Sequence, residues 1–350
     1  MNWRDVSMKL MEYVRNNKTY IIAEMSGNHG GNLENALELV RKAKEAGADC
    51  LKTQAYSAES LTLDCDNEYF TVTTGLWAGK KRFDVYKEAA TPWEWQIEIK
   101  KECERAGIDF LSTPFDKKGV DFLDELGVEA YKISSFELVD IPLIRYVAKK
   151  NKPVILSCGL GSKDEIEAAV KTIRQENDKE LILLKCCSEY PAPYSDINML
   201  TMVDMKNSFN VPVGFSDHTM GYMASVVAVS MGASVIEKHF CLDRNIKTPD
   251  SDFSSEPEEF REMVEAIRTA EQIRGIVTYT RTKGEEDRVM TRRSLFAVED
   301  ICSGEKFTEN NVRSIRPANG ISPIYYDELV GKIAKRNIKR GEPITYEDLG

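Results

Sequence analysis

The chain of 350 residues contains three histidines, His29, His218 and His239, and each closes a short apolar run of the kind that forms a buried strand. Where a parallel strand opens into its following loop, a histidine points to a metal or acid/base site at one end of a sheet. A single buried histidine is more often a hydrogen-bonded core residue, but three of three at strand ends favour chemistry. Lys52, Lys132, Lys185 and Lys238 also stand inside strand-like runs, where an ammonium is stranded unless it meets an anion. With Ser135, Ser157, Ser188 and Ser216 they would form a pocket of charge-assisted bonds for phosphate or carboxylate. The rival use is an imine-forming lysine, which needs only one such residue. His218 and His239 suit a divalent ion with open positions. Without CxxC or HxxxH spacing, exchangeable Mn²⁺ or Mg²⁺ fits them better than structural zinc. Glu24 and Glu237 are candidate bases, or carboxylates that merely stabilise a barrel.

These residues need elements that bring them together, and the chain supplies a repeat. Apolar runs at 20–24, 49–54, 109–114, 130–135, 153–158, 181–187, 211–216 and 234–239 alternate with helix-period segments. Asn32 can cap the first helix and Gly47 can stop it; later helical stretches end at Gly107, Gly127 and Gly232. Eight such units predict an α/β protein with a closed (β/α)₈ TIM barrel, for which roughly 250 residues are typical. A doubly wound open sheet is the alternative. The barrel is favoured because polar residues end almost every strand, and in a barrel they converge on one face.

Two segments depart from the repeat. Residues 55–92 form a long insertion carrying Tyr56, Tyr69, Phe70, Trp77, Phe83 and Tyr86, too aromatic for disorder. It reads as a lid or a dimer contact, or as aromatic packing on the barrel wall. The domain plan is a barrel over 1–275, a charged linker over 276–290 and a separate small domain of short β pieces over 291–350.

A content of 42% hydrophobic residues can bury a large core. No apolar run approaches the ~20 residues that cross a bilayer, and the polar first residues do not read as a signal peptide, so a cytoplasmic protein without membrane contact is expected. The eight cysteines lack paired zinc spacing and read mostly as reduced core residues. A net charge of −10 argues against nucleic acid as a partner, though local lysines can still hold a small anion.

The motifs IIAEMSGNHGGNLENAL, AGADCLKTQ, FLSTPFD, YKISSFE, VILSCG, EYPAP, GFSDHT and VIEKHFCLDR occur in this order along nearly the whole chain. Together they resemble the sialic acid synthase family, enzymes that condense phosphoenolpyruvate with an N-acetylated amino sugar to give a nonulosonic acid. The C-terminal RRSLFAVEDI and SIRPANGISP resemble that family's antifreeze-like (SAF, β-clip) domain. The resemblance implies a phosphoenolpyruvate site at Lys52, Thr113, Lys132, Ser135, Ser157, Ser188, Tyr190 and Ser216. It implies metal ligands at His218 and His239, a base or water activator at Glu24, and contacts to the sugar or its metal-bound water at Gln54 and Asp250. Arg316, in RPANG, resembles an arginine lent by the small domain of one subunit to its partner, which implies a domain-swapped homodimer.

Ser188 stands where members using N-acetylmannosamine typically have asparagine, and the first loop reads SGNHGG rather than GNNHNG. The run GLWAGKKRFDVYKEAATPWEW resembles the pseudaminic acid synthase branch, whose substrate is a 6-deoxy diacetamido sugar. N-acetylneuraminate, legionaminate or spore-coat sugar synthesis are the neighbouring readings. An imine-forming aldolase and a carbohydrate-binding protein using the small domain alone are the readings of another class.

Overall fold

In a computed structural model of the chain, residues 9–73 and 78–350 are described. The chain divides into two compact units, Met1–Gly275 and Ile276–Gly350.

The first unit holds eight parallel strands: β1 (Tyr20–Glu24), β2 (Cys50–Ala55), β3 (Asp109–Pro114), β4 (Tyr131–Ile133), β5 (Val154–Ser157), β6 (Leu181–Cys186), β7 (Val213–Asp217) and β8 (Val235–His239). All eight lie within a residue or two of the predicted runs. Strands buried on both faces read as continuous apolar segments, which is why they were legible. Their order is β3-β2-β1-β8-β7-β6-β5-β4, and the end strands β3 and β4 lie side by side, so the sheet curls into a nearly closed barrel rather than an open sheet.

Helices between the strands form the outer layer. The first, Leu33–Glu45, starts where Asn32 accepts a hydrogen bond from the Glu34 N–H and stops before Gly47 at φ +92°. Its Ala36, Leu39, Val40 and Ala43 join Ile21, Ala23 and Leu51 in the core between sheet and helices. A second core fills the barrel's N-terminal end: Leu10, on the short helix Leu10–Arg15, packs with Tyr20, Ile22, Leu111, Ile155, Leu184 and Val235. These side chains fill the interior at that end, and the polar residues lie at the opposite ends of the strands.

The described residues of the 55–92 segment are structured. They contain short helices Ala58–Leu61, Glu68–Phe70 and Arg82–Ala89; Trp77 lies outside the described residues. The second unit carries an antiparallel pair, β9 (Ser294–Ala297) and β10 (Val312–Ile315), over its own core of Leu295, Ile301, Phe307, Ile321, Ile338 and Ile344. Among the described residues no helix is long and apolar enough to cross a membrane.

Candidate active site

A cavity of about 470 Å³ opens at the C-terminal ends of the strands. Glu24, Lys52, Gln54 and Lys132 line it from β1, β2 and β4. Ser135, Ser157, Ser188 and Tyr190 line it from the region of β4, β5 and β6; Ser216, His218, His239 and Asp250 complete it from β7, β8 and the loop after β8. Thr113 does not line the cavity; it lies buried beneath it, within 3.3 Å of Lys52 Nζ. Arg316 is an exposed residue of the second unit.

Side-chain alternation decides which strand residues reach the lumen. Glu237 and His239 face the cavity, so Lys238 between them faces the helices. Cys186 likewise faces in, and its neighbour Lys185 donates instead to the Cys186 carbonyl. Two of the four lysines expected in the anion pocket are therefore outside it. The period of two along each strand was the signal that separates them. His29 is also outside: it packs edge-on against Trp95 at 5.6 Å, and its Nδ1 accepts from the Gly31 N–H. Cys186, read from sequence as core, is buried but lies in the cavity wall, 3.8 Å from both Ser188 Oγ and His218 Nδ1.

The charges form one connected group. Lys52 Nζ is 3.0 Å from Glu24 Oε2 and 3.5 Å from Glu237 Oε1, and Lys132 Nζ is 3.5 Å from Glu237 Oε1. Gln54 donates to Glu24 at 2.7 Å and to Ser26 at 3.1 Å. Burial opposes ionisation of both carboxyls, with different outcomes. At Glu237 the two lysines and His218 outweigh it and hold the group below the usual carboxylate range. At Glu24 burial wins against Lys52, aided by repulsion from Glu237, and the group is pushed up. Burial also pulls Lys132 down, with Glu237 opposing and Lys52 adding to it, whereas the two glutamates carry Lys52 upward in spite of burial. A pair of carboxyls driven apart is the arrangement that separates a proton holder from a charged stabiliser.

Serines and one glycine shape the opposite wall. The Gly159 N–H donates to Ser135 Oγ at 2.9 Å. A Cβ at Gly159 would crowd Ser135 and Ser188, so glycine keeps their hydroxyls free to face a ligand. Among the described residues, Ser157 Oγ, Glu237 Oε2 and His239 Nδ1 are buried without a hydrogen-bond partner, as expected of groups that receive a ligand.

His218 and His239 stand with ring centroids 5.5 Å apart, and Tyr190 stacks on His218 at 4.2 Å. His218 Nδ1 donates to the Cys187 carbonyl at 2.8 Å, which leaves Nε2 as the nitrogen with a lone pair. The partnerless Nδ1 of His239 and the free lone pair on His218 fit a divalent ion held by two histidines. Among the described residues no group of three or more His, Cys, Asp or Glu is arranged as a metal cage.

The 55–92 segment contributes Tyr56, Leu61, Val72, Val85 and Ala89, which with Phe115 make one side of the cavity apolar. Arg82 is the charged exception. Sequence reading placed the aromatic residues here but did not single out Arg82 or Val85, because nothing local marks which side of the short helix Arg82–Ala89 meets a cavity. Cys186, on β6, could have been found from the strand alternation that turns it inward.

Comparison with known proteins shows the family of the chain. Residues 39–279 match the NeuB family and residues 292–350 the SAF domain. The chain is 42% identical to the pseudaminic acid synthase of Campylobacter jejuni, over 97% of this chain and 99% of that protein. It is 38% identical to the pseudaminic acid synthase of Helicobacter pylori, over 94% and 97%. A solved N-acetylneuraminic acid synthetase from Leptospira borgpetersenii, 32% identical, covers 78% of this chain and 91% of its own with a TM-score of 0.71. A barrel whose strand ends gather these lysines, serines and paired histidines, followed by a SAF domain, makes the chain a member of the NeuB family.

Proposed function

We propose that this protein condenses phosphoenolpyruvate with an N-acetylated amino-sugar aldehyde, 2,4-diacetamido-2,4,6-trideoxy-altrose, to give pseudaminic acid and phosphate. The observation that carries the reading is a single cavity in which two lysines, four serines, two histidines and a split carboxyl pair face one another. C3 of phosphoenolpyruvate attacks the aldehyde carbon and leaves cationic character at C2. The former aldehyde oxygen takes up a proton, and water adds to C2 and gives one up. The C2–O bond to phosphate then breaks with its electron pair leaving on phosphate, while the C2 hydroxyl loses its proton to become the ketone. Lys52, Lys132, Ser135, Ser157, Ser188 and Ser216 hold the phosphate and carboxylate; fixed donors in a buried site stabilise charge without reorganising. Glu24, in its raised state, exchanges the proton of the water that adds at C2. Gln54 and Asp250 orient the sugar, and Tyr190 covers the His218 side. His218 and His239 would hold Mn²⁺ or Mg²⁺, which supplies Lewis-acid polarisation of the aldehyde oxygen.

The apolar side formed by Tyr56, Val72, Val85, Ala89 and Phe115 supports a sugar with a methyl group in place of a hydroxymethyl. Cytoplasmic location and a domain-swapped homodimer, with Arg316 of each chain completing the partner's site, belong to the same reading.

The test is phosphate release from phosphoenolpyruvate with Mn²⁺, comparing the 6-deoxy diacetamido sugar with N-acetylmannosamine and with the legionaminate precursor, each repeated with EDTA. Release with the altrose derivative that EDTA abolishes is the expected result. Release with another sugar keeps the chemistry and overturns the pseudaminate assignment; release indifferent to EDTA overturns the metal.

A further inference from the structure

Behind the two histidines the barrel carries a charged pair that the chemistry above leaves unused. Asp217 and Lys238 are direct partners in the β7–β8 register, and each immediately precedes a histidine. Strand neighbours point to opposite faces, so the histidines face the lumen and this pair faces the helical layer. Asp217 is 1% exposed and Lys238 2%. Lys238 Nζ lies 3.3 Å from Asp217 Oδ2 and donates to the Thr219 carbonyl at 2.6 Å. Asp217 Oδ1 accepts from the Thr219 N–H at 2.8 Å and the Thr219 hydroxyl at 2.7 Å; Oδ2 accepts from the Ser225 hydroxyl at 2.6 Å.

Stability alone does not account for this pair. Burying two charges takes them out of water, and apolar residues of similar volume hold a layer together as well or better. On the same outward face, two residues earlier, the register partners are Phe215 and Ile236, both in the apolar core. The polar pair appears only where the strands end in the histidines. What it does there is geometric. Asp217 and Lys238 grip Thr219 from its N–H and its carbonyl, so the backbone on both sides of His218 is fixed and tied to the residue before His239. The Cys187 bond sets the His218 ring angle, and the pair sets the distance between the two rings.

We propose that Asp217 and Lys238 are positioning residues that hold His218 and His239 at the spacing a divalent cation requires. The inference rests on the metal reading of those histidines. Groups that orient ligands in this way typically contribute 10–100-fold in metal affinity.

The experiment titrates the full-length, metal-stripped protein with Mn²⁺ and reads free ion by electron paramagnetic resonance. Asp217→Asn or Lys238→Met alone strands a buried charge, so folding is at risk in both. The double variant Asp217→Asn/Lys238→Met strands none, and Ser225→Ala removes a single donor from Asp217 at a position away from the histidines. The double variant is expected to bind Mn²⁺ about 10–100-fold more weakly and Ser225→Ala about threefold more weakly, with phosphoenolpyruvate binding to the metal-free protein within twofold of wild type. Mn²⁺ affinity within twofold of wild type in the folded variants overturns the positioning role alone. A wild-type protein that binds no Mn²⁺ overturns the metal reading and the positioning role with it.

Discussion

Lys132 is the residue on which the two chemical readings of the site divide. It is 2% exposed, and burial is the main cause that pulls its ammonium below the usual lysine range, which is also the condition of an imine-forming lysine. Its neighbour Glu237, however, is held ionised 3.5 Å away, and Lys52 shares the same carboxylate. That arrangement keeps two cations beside an anion site. Lys132→Met is expected to lower phosphate release roughly 100-fold or more, as loss of a fixed charge contact does. Borohydride with pyruvate is expected to leave no adduct on the wild-type protein. An adduct at Lys132, found by mass spectrometry, would replace the synthase with an aldolase.

His29 gives a second prediction at this scale, about stability. Burial beside Trp95 lowers its pKa from 6.5 to about 4. The neutral ring therefore contributes about 3 kcal/mol above the unfolded value. As pH falls through 6.5 the unfolded chain takes up the proton first, so this contribution is lost between about 6.5 and about 4 and does not change below that. Urea midpoints measured against pH should fall more steeply in that window for wild type than for His29→Gln. Parallel curves would show that the ring titrates normally in the folded protein.

At the scale of elements, the strands that carry the histidines approach closely at Gly214. A Cβ there would lie 2.7 Å from Leu184 Cδ2 and nearer still to the Val235 carbonyl oxygen. Gly214→Ala must push β7 away from β6 or β8, and a forced core contact of this kind costs roughly 1–3 kcal/mol. Thermal unfolding should register a fall in Tm of several degrees; an unchanged Tm would mean that the strands yield without cost. The 55–92 segment belongs to this scale as well. Its length and aromatic content left a lid, a dimer contact or packing on the barrel wall open, and its Val85 and Ala89 line the cavity. Which residues of Arg82–Ala89 meet the cavity follows from the docking of that helix, not from its own sequence pattern.

For the whole molecule, the proposed swap makes each active site depend on two chains. Arg316 is exposed, and a guanidinium in that position can meet an anion. Arg316→Ala and His218→Ala chains, each inactive alone, are expected to recover about a quarter of wild-type phosphate release when refolded together, because half the dimers are mixed and one of their two sites is intact. No recovery would sink the swap. The eight strands are legible along the chain, since parallel strands buried on both faces must be apolar throughout, and so are the polar strand ends that set the family. The sequence also carries both histidines of the candidate metal site. Which polar residues share the cavity is settled by the folding of the barrel. Barrel curvature and the alternation of side chains turned Lys52 and Lys132 inward, sent Lys185 and Lys238 outward, left His29 against Trp95 and placed Cys186 beside His218. Those outcomes depend on register and closure, which arise from contacts between segments far apart in the chain.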